Sequence, residues 1–341
     1  MQNVFAMDEV EKRKLKFLYN QAGILTRYSV IPDYGLNASE WSFYPATENI
    51  EPFPNLESRM EWYNKTAAPL SIKAIEGCIN DKINKDEITH LITVSCTGMS
   101  APGLDLQIME QMDLPTNIFR TSVNFMGCYA AIHALKLADA LAQSSPNAKV
   151  LIVCTELCTL HFQKDLNVDN ITSSLLFSDG SAAVLVTHDA SKLDGMHIKS
   201  FYSEVAFKGK KDMSWELSSK GFLMTLSGYV PDLIEEDFNG LIEKALQKSC
   251  IKKEEVTDWC IHPGGKKILT GIQKSTGISE AALAPSYKVL KDYGNMSSPT
   301  ILFVLKDIME SIKTNKQSNR TIAGAAFGPG LTMETFILQN A

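Results

Sequence analysis

The sequence contains no run of about 18 consecutive apolar residues, the length that a membrane-spanning helix requires. It also lacks an excess of positive charge, because 33 Lys and Arg residues stand against 39 Asp and Glu residues and give a formal net charge of −6. Nucleic-acid binding needs a basic surface that neutralises phosphates. These two deficits predict a protein with neither a membrane span nor a nucleic-acid partner.

Cysteines in disulfide-framework spacing are missing as well. The chain has seven cysteines, and Cys96, Cys154 and Cys260 lie inside apolar runs, where a buried, reduced thiol is typical. The first 20 residues are charged and have a helical pattern, without the apolar stretch of a secretory signal. We therefore expect a cytoplasmic location and free thiols.

Cofactor fingerprints are also absent from the sequence. It shows no glycine-rich dinucleotide motif, no phosphate-binding loop and no Cys/His set at zinc spacing. The nearest approach to a metal site is Cys154, Cys158 and His161, but Cys154 falls in the middle of an apolar strand pattern. The sequence thus predicts neither a metal nor a bound cofactor.

What the chain does contain is a strand–helix–strand pattern that occurs twice. In the first half we predict strands at 88–96 and 149–156, a helix at 127–142, and two strands around an Asp-Gly turn at 175–187. In the second half we predict a strand at 256–265, a helix at 297–313, and a strand, a turn and a strand at 320–338.

The two halves place polar residues at matching intervals. Cys128 follows Thr97 by 31 residues, and Asn295 follows His262 by 33 residues. This repetition predicts an α/β fold of two duplicated halves, residues 1–200 and 201–341, packed on one another. Open α/β sheets bind ligands where strands end, so we expect Cys128, His262 and Asn295 to face one crevice.

Cys128, His262 and Asn295 each have an ordinary structural interpretation when taken alone. Cys128 could be a core cysteine, although its place at a predicted helix start would favour the thiolate. His262 before Pro-Gly-Gly could be a turn histidine, and Asn295 after Gly294 could serve the turn. Together they supply a nucleophile, a base and an amide donor for acyl transfer. Papain-like proteases are excluded, because Cys128 lacks their Cys-Gly-Ser-Cys-Trp context.

Five motifs then carry a specific resemblance: NFMGCYAA, LFSDGSAA, CIHPGGKKIL, YGNMSSPT and AAFGPGLTMET. In this order and spacing, from about residue 58 to the C-terminus, the chain resembles the chalcone-synthase-like type III polyketide synthases, of bacterial type, in the thiolase superfamily. The resemblance implies a five-layered α/β/α/β/α sandwich, and a homodimer with acyl-CoA and malonyl-CoA as substrates and no cofactor.

The resemblance also implies roles for individual residues. Cys128 would take the starter acyl group, and His262 and Asn295 would hold the malonyl thioester carbonyl while the enolate forms by decarboxylation. The expected product is a pyrone, a resorcinol or a related phenolic. Matching positions imply that the following residues contact substrate: Cys96, Thr97, Glu156, Cys158, His161, Phe177, Trp215, Met224 and Ser297.

Three departures from the plant enzymes concern the pocket. Met224 stands at the second gate position, Trp215 falls near a position that is glycine there, and Ala101 replaces a methionine that reaches the partner subunit. The resemblance also implies CoA binding at Arg59, Gly264 and Gly265. Two alternatives stay open: a single-round condensing enzyme of the ketoacyl synthase III type, and a catalytically silent thiolase-fold binding protein.

Overall fold

The computed structural model describes residues 8–47, 49–189 and 195–340. Its helices are α1 (Glu9–Gln21), α2 (Leu56–Ile79), α3 (Leu104–Met112), α4 (Ala130–Ser144), α5 (Val168–Leu176), α6 (Val230–Lys248), α7 (Lys266–Thr276), α8 (Ala284–Tyr293) and α9 (Thr300–Thr314). Its strands are β1 (His90–Ser95), β2 (Phe119–Asn124), β3 (Lys149–Leu157), β4 (Asp179–Thr187), β5 (His197–Val205), β6 (Met213–Ser218), β7 (Gly221–Leu226), β8 (Asp258–Ile261), β9 (Thr321–Gly328) and β10 (Thr332–Gln339).

Two four-stranded sheets organise the described part of the chain. The first has the order β2-β1-β3-β4, in which β1 runs parallel to β2 and β3, and β4 runs antiparallel to β3. The second has the order β5-β10-β9-β8, in which β8 is parallel to β9, and β10 is antiparallel to β9 and β5. Strands β6 and β7 form a separate hairpin. The parallel pairs β1–β3 and β8–β9 confirm the strand–helix–strand pattern predicted for each half.

The elements pack in five layers around three hydrophobic cores. Helices α2 and α3 pack on one face of the first sheet. Helices α4 and α9 fill the space between the two sheets, and α6 and α7 cover the outer face of the second. The near-continuous apolar sequence of β3 suits a strand that is buried on both faces, and the Ala-rich α4 allows close packing in the middle layer. The predicted five-layered α/β sandwich is confirmed.

One predicted element is wrong and one boundary needs adjustment. Residues 175–187 do not form two strands, because α5 ends at Leu176 and β4 runs unbroken from Asp179, which pairs with Leu157. The Asp-Gly pair therefore lies within a strand. The predicted boundary after residue 200 falls inside β5, which belongs to the second sheet. We propose to place the boundary between the halves before His197.

The helices of the described residues are all too short or too polar to cross a membrane.

Candidate active site

A tight turn places Cys128 just before the central helix α4. The backbone enters the left-handed region at Phe125 (φ 56°) and at Gly127 (φ 84°). A Cβ atom at Gly127 would lie 2.3 Å from Cδ of Pro329, so only glycine fits at this position. The turn therefore holds the thiol against a loop from the second half.

Burial has the largest effect on the pKa of Cys128. It raises the pKa of the thiol to about 11, against the smaller lowering effect of hydrogen bonds with Ser297 and Asn295. Burial therefore opposes the thiolate that the helix start was expected to favour, and that expectation stays a prediction. Cys128 rests as a thiol and must lose its proton during any acyl transfer.

The Asn295 side chain is fixed by contacts on both sides of its amide. Its Nδ2 donates to Gly264 O at 3.2 Å, and its Oδ1 accepts from Ser297 N at 2.8 Å. Ser297 reaches this position through a left-handed backbone conformation, with φ 59°. The Sγ of Cys128 lies 4.0 Å from Asn295 Oδ1. The amide is thus preorganised beside the thiol.

His262 follows β8 and is 1% exposed, yet both of its ring nitrogens lack a hydrogen-bond partner among the described residues. Burial lowers the pKa of the His262 ring to about 3, so the ring is neutral. Unpaired buried polar atoms are costly and rare. The neutral imidazole can accept a proton at one nitrogen and donate from the other to a ligand.

These three side chains line one cavity of about 1230 Å³. As predicted from the sequence, they face one crevice between the halves. The cavity wall also includes the following residues singled out above: Cys96, Thr97, Cys158, His161, Phe177, Trp215, Met224, Gly264, Gly265 and Ser297.

Glu156 was expected to contact substrate, but it lies behind the cavity wall. Its Oε2 accepts from Cys96 N at 2.8 Å and from Thr97 Oγ1 at 2.9 Å, and its Oε1 accepts from Ser298 Oγ at 2.7 Å. Burial raises the pKa of Glu156 to about 7, although these hydrogen bonds oppose the shift. The carboxyl group organises the wall from behind.

His161 is fully paired, in contrast to His262. Phe222 N donates to its Nδ1 at 3.0 Å, so the proton sits on Nε2, which donates to Thr97 O at 2.7 Å. The ring stacks on Phe222 with centroids 4.2 Å apart, and burial lowers the pKa of His161 to about 3. Trp215 meets the His161 ring edge-on, and its Nε1 donates to Cys96 O at 2.6 Å.

Met224 and Phe177 border the cavity from two different elements. Met224 lies on β7 opposite Trp215 of β6. Phe177 follows α5, and its carbonyl accepts from Arg27 Nη1 at 3.3 Å. The half-buried Cys158 begins a short 3-10 helix that ends at His161.

Arg59 does not face the cavity, so the predicted CoA contact there is wrong. The side chain is 0% exposed, its Nε donates to Pro54 O at 3.0 Å, and its Nη1 donates to Leu160 O. The guanidinium also lies over the Phe53 ring, 5.0 Å from its centroid. Burial lowers the pKa of Arg59 to about 10. Its role is to join the start of α2 to the chain beside His161.

Sequence reasoning missed the positive charges that border the cavity. Lys266 and Lys267 are exposed at the start of α7, directly after the HPGG motif, and Lys16 reaches the cavity from α1. The only sequence signal was the pair of lysines after Gly265, which could have drawn attention to this position. Lys16 gave no signal, since its position depends on how α1 packs.

Comparison with known proteins matches both halves of the chain. The profile of the chalcone and stilbene synthase N-terminal domain covers residues 3–190, and the profile of the C-terminal domain covers residues 198–341. The two profiles together span nearly the whole chain.

Two individual relatives and one solved structure are 27–29% identical to the chain over the aligned residues. Type III polyketide synthase C of Arabidopsis thaliana is 29% identical over 96% of this chain and 86% of that protein. Probable polyketide synthase 1 of Dictyostelium discoideum is 29% identical over 99% of this chain, which spans only 11% of that protein. The crystal structure of PKS-I from the brown alga Ectocarpus siliculosus superposes with a TM-score of 0.91 at 27% identity, covering 98% of this chain and 90% of that one.

Proposed function

Because the chain belongs to the chalcone and stilbene synthase family, we propose that Cys128, His262 and Asn295 load an acyl-CoA starter and extend it with malonyl-CoA. The enzyme class is that of the type III polyketide synthases, which are acyltransferases that carry out decarboxylating condensation. The observation that carries the assignment of residues is the buried His262 ring, whose two nitrogens are unpaired and which borders the same cavity as Cys128.

Loading begins when the neutral His262 ring accepts the proton of the Cys128 thiol. The sulfur then attacks the thioester carbonyl of the starter, the new S–C bond forms, and CoA leaves as a thiolate that takes up a proton. The raised pKa of the Cys128 thiol makes such a base necessary. Deprotonation coupled to attack also avoids a free thiolate in a buried site.

Extension requires stabilisation of an enolate. The C–CO₂⁻ bond of malonyl-CoA breaks, carbon dioxide leaves, and the electron pair passes into the enolate of the thioester. A ring N–H of His262 and the second Nδ2 hydrogen of Asn295 would donate to the enolate oxygen. One preorganised donor of this kind contributes about 3 kcal/mol to catalysis. The enolate carbon attacks the acyl carbon, the C–S bond of the acyl-enzyme breaks, and the Cys128 sulfur leaves as a thiolate that takes up a proton from water.

Lys16, Lys266 and Lys267 are candidates for binding the CoA phosphates. They bring positive charge to the border of the cavity, which Gly264 and Gly265 also line. Lysine ammonium groups are common phosphate ligands. They would take over the role that we first expected of Arg59.

The exposed edge of the first sheet supports the proposal of a homodimer. Strand β2 lies at that edge, and Phe119 and Met99 near it are 72% and 49% exposed. An open edge strand with exposed apolar side chains is a site at which another chain pairs. Light scattering behind a sizing column tests for a dimer, and a monomer at micromolar concentration would contradict one. The cytoplasmic location stays a prediction.

The direct test uses uniformly ¹³C-labelled malonyl-CoA and a panel of acyl-CoA starters. We expect products that carry two labelled carbons per extension, from two or more extensions, cyclised to pyrones or resorcinols. Products of one extension, or a requirement for an acyl carrier protein, would favour the ketoacyl synthase alternative. No product, together with an unreactive Cys128, would favour a silent binding protein.

A further inference from the structure

We propose that the starter is a saturated aliphatic acyl group of about 10 to 16 carbons, rather than a short or a hydroxylated aromatic one. The inference rests on the proposed function, since it concerns what Cys128 carries. It depends on two properties of the cavity: its volume and the internal hydrogen bonds that occupy the polar side chains of the wall around Trp215, His161 and Thr97.

The cavity volume exceeds what a small starter needs. Ligand sites for drug-sized molecules usually have volumes of about 300 to 1,000 Å³, whereas this cavity has about 1230 Å³. A methylene group fills about as much space as a liquid water molecule, roughly 30 Å³. A 16-carbon chain therefore takes up less than half of the cavity, and the rest can hold the extended chain before it is released.

Several polar side chains of the wall are bound to the protein itself. Trp215 donates to Cys96 O, and both ring nitrogens of His161 are paired. Thr97 Oγ1 donates to Glu156 and accepts from Leu157 N. These groups have little capacity left for a ligand.

Two further polar groups of the wall are bound in the same way. Thr159 Oγ1 donates to Asp179 and contacts Ser29 Oγ at 2.7 Å. The hydroxyl groups of Tyr34 and Tyr44 lie 3.0 Å apart. Each of these side chains borders the cavity, apart from Asp179. This part of the wall therefore offers a ligand few free hydrogen-bond partners, even though its residues are polar.

His262 departs from this pattern. Across the described residues, the buried side-chain atoms without a partner are on Arg59, Trp62 and His262, and of these three residues only His262 borders the cavity. A phenolic hydroxyl deep in the cavity would lose its water without gaining a partner, which disfavours binding. An aliphatic chain has no such cost, and each buried methylene favours its binding.

The hairpin β6–β7 offers a way to shorten the cavity. Met224 borders the cavity, whereas its neighbour Leu223 does not and is 36% exposed, because successive strand residues point to opposite faces. Met224→Trp should therefore fill part of the cavity. Leu223→Trp adds the same bulk to the same strand outside it, and serves as the matched control.

The experiment measures acyl transfer to Cys128 by intact-protein mass spectrometry, without malonyl-CoA. Wild-type protein receives equimolar mixtures of acyl-CoA esters with 2, 4, 8, 12 and 16 carbons, together with a 4-hydroxycinnamoyl-CoA. We expect the loading rate to rise about two- to fourfold per methylene up to a plateau beyond 8 carbons. We expect Met224→Trp to move the optimum to shorter chains, and Leu223→Trp to leave it unchanged.

A preference for the acetyl or hydroxycinnamoyl group, a profile that is flat with chain length, or an equal response of the two Trp variants would overturn the proposal. If condensation with malonyl-CoA still occurs in those cases, the proposed function stands and only the starter class is wrong. If no ester of the panel loads Cys128 and no product forms, the proposed function fails and this inference fails with it.

Discussion

Two buried histidines border the same cavity and differ only in their hydrogen bonds. His161 and His262 are 4% and 1% exposed, and burial lowers the pKa of each ring to about 3. His161 uses both nitrogens to bind the backbone, whereas His262 uses neither among the described residues. Burial and pKa therefore do not distinguish the two rings, whereas the unpaired nitrogens do, and they support the proposal that His262 is the catalytic histidine.

The same contrast extends to the regions around the two rings. The wall around His161 is a closed network that includes Glu156, Thr97 and Trp215, and it forms a rigid surface with its polar groups satisfied. His262, by contrast, keeps both ring nitrogens unpaired, and it lines the same cavity as Cys128 and Asn295. We therefore propose that the wall around His161 selects the acyl chain and that the residues around His262 carry out the chemistry.

The largest expected effect separates two cysteines of the cavity. Cys128→Ala should abolish acyl-enzyme formation and condensation, because the nucleophile is lost. Cys158→Ala should load normally, since Cys158 belongs to the wall. Intact-protein mass spectrometry after incubation with acyl-CoA measures both. An acyl adduct that persists in Cys128→Ala and maps to Cys158 would contradict the assignment.

The next comparison concerns the stability of the two histidine variants. His161→Ala leaves Phe222 N and Thr97 O unpaired, and should lower the free energy of unfolding by about 2 to 4 kcal/mol. His262→Ala removes an imidazole that has no internal partner, and should have a much smaller effect on stability. Urea unfolding of the two variants measures this difference. Equal losses of stability would show that the two rings are bound alike.

The network behind the wall should give stability a pH dependence. The folded state raises the pKa of Glu156 from its ordinary 4.5 to about 7, so folding favours the protonated carboxyl group. This contribution is fully present below about pH 4.5, and is lost as the pH rises to about 7.

Glu156→Gln should remove this dependence, because a side-chain amide can donate to Ser298 and accept from Cys96 N and Thr97. Relative to wild type, the variant should gain about 2 to 3 kcal/mol in unfolding free energy between pH 5 and pH 8. Urea titrations at the two pH values measure it. Parallel pH profiles of wild type and variant would mean that Glu156 is ionised throughout.

The smallest expected effect separates exposed from buried positive charge. The double substitution Lys266→Ala and Lys267→Ala should raise the KM for malonyl-CoA several-fold, and more so at low salt, if these lysines bind phosphates. Arg59→Lys should leave this KM within about twofold in the folded protein, because Arg59 is bound to Pro54 O and Leu160 O. Steady-state kinetics at two salt concentrations provide the test, and the reverse ranking would restore Arg59 as a CoA contact.

The sequence identified the features that depend on local pattern. The apolar runs of β1 and β3, and the helical spacing of α4 and α9, predicted the layers, since these signals lie within a few residues of one another. The duplicated intervals predicted that Cys128, His262 and Asn295 meet, and they do border one cavity.

What the sequence could not predict depends on distant partners. The hydrogen bonds of the His161 ring depend on Phe222 and Thr97, which lie 61 and 64 residues away in sequence. The burial of Arg59 depends on Leu160, 101 residues away. The thiol pKa of Cys128 is raised mainly by burial, which depends on the packing of both halves. No local pattern carries this information.

The most direct test of the catalytic corner is the release of ¹³CO₂ from [3-¹³C]malonyl-CoA by the two histidine variants. We predict that His262→Ala lowers the rate about 10²- to 10³-fold, because a preorganised donor to the enolate is lost. We predict that folded His161→Ala retains most of the wild-type rate. Equal rates for the two variants, or a larger loss in His161→Ala, would contradict the assignment of His262 as the catalytic histidine.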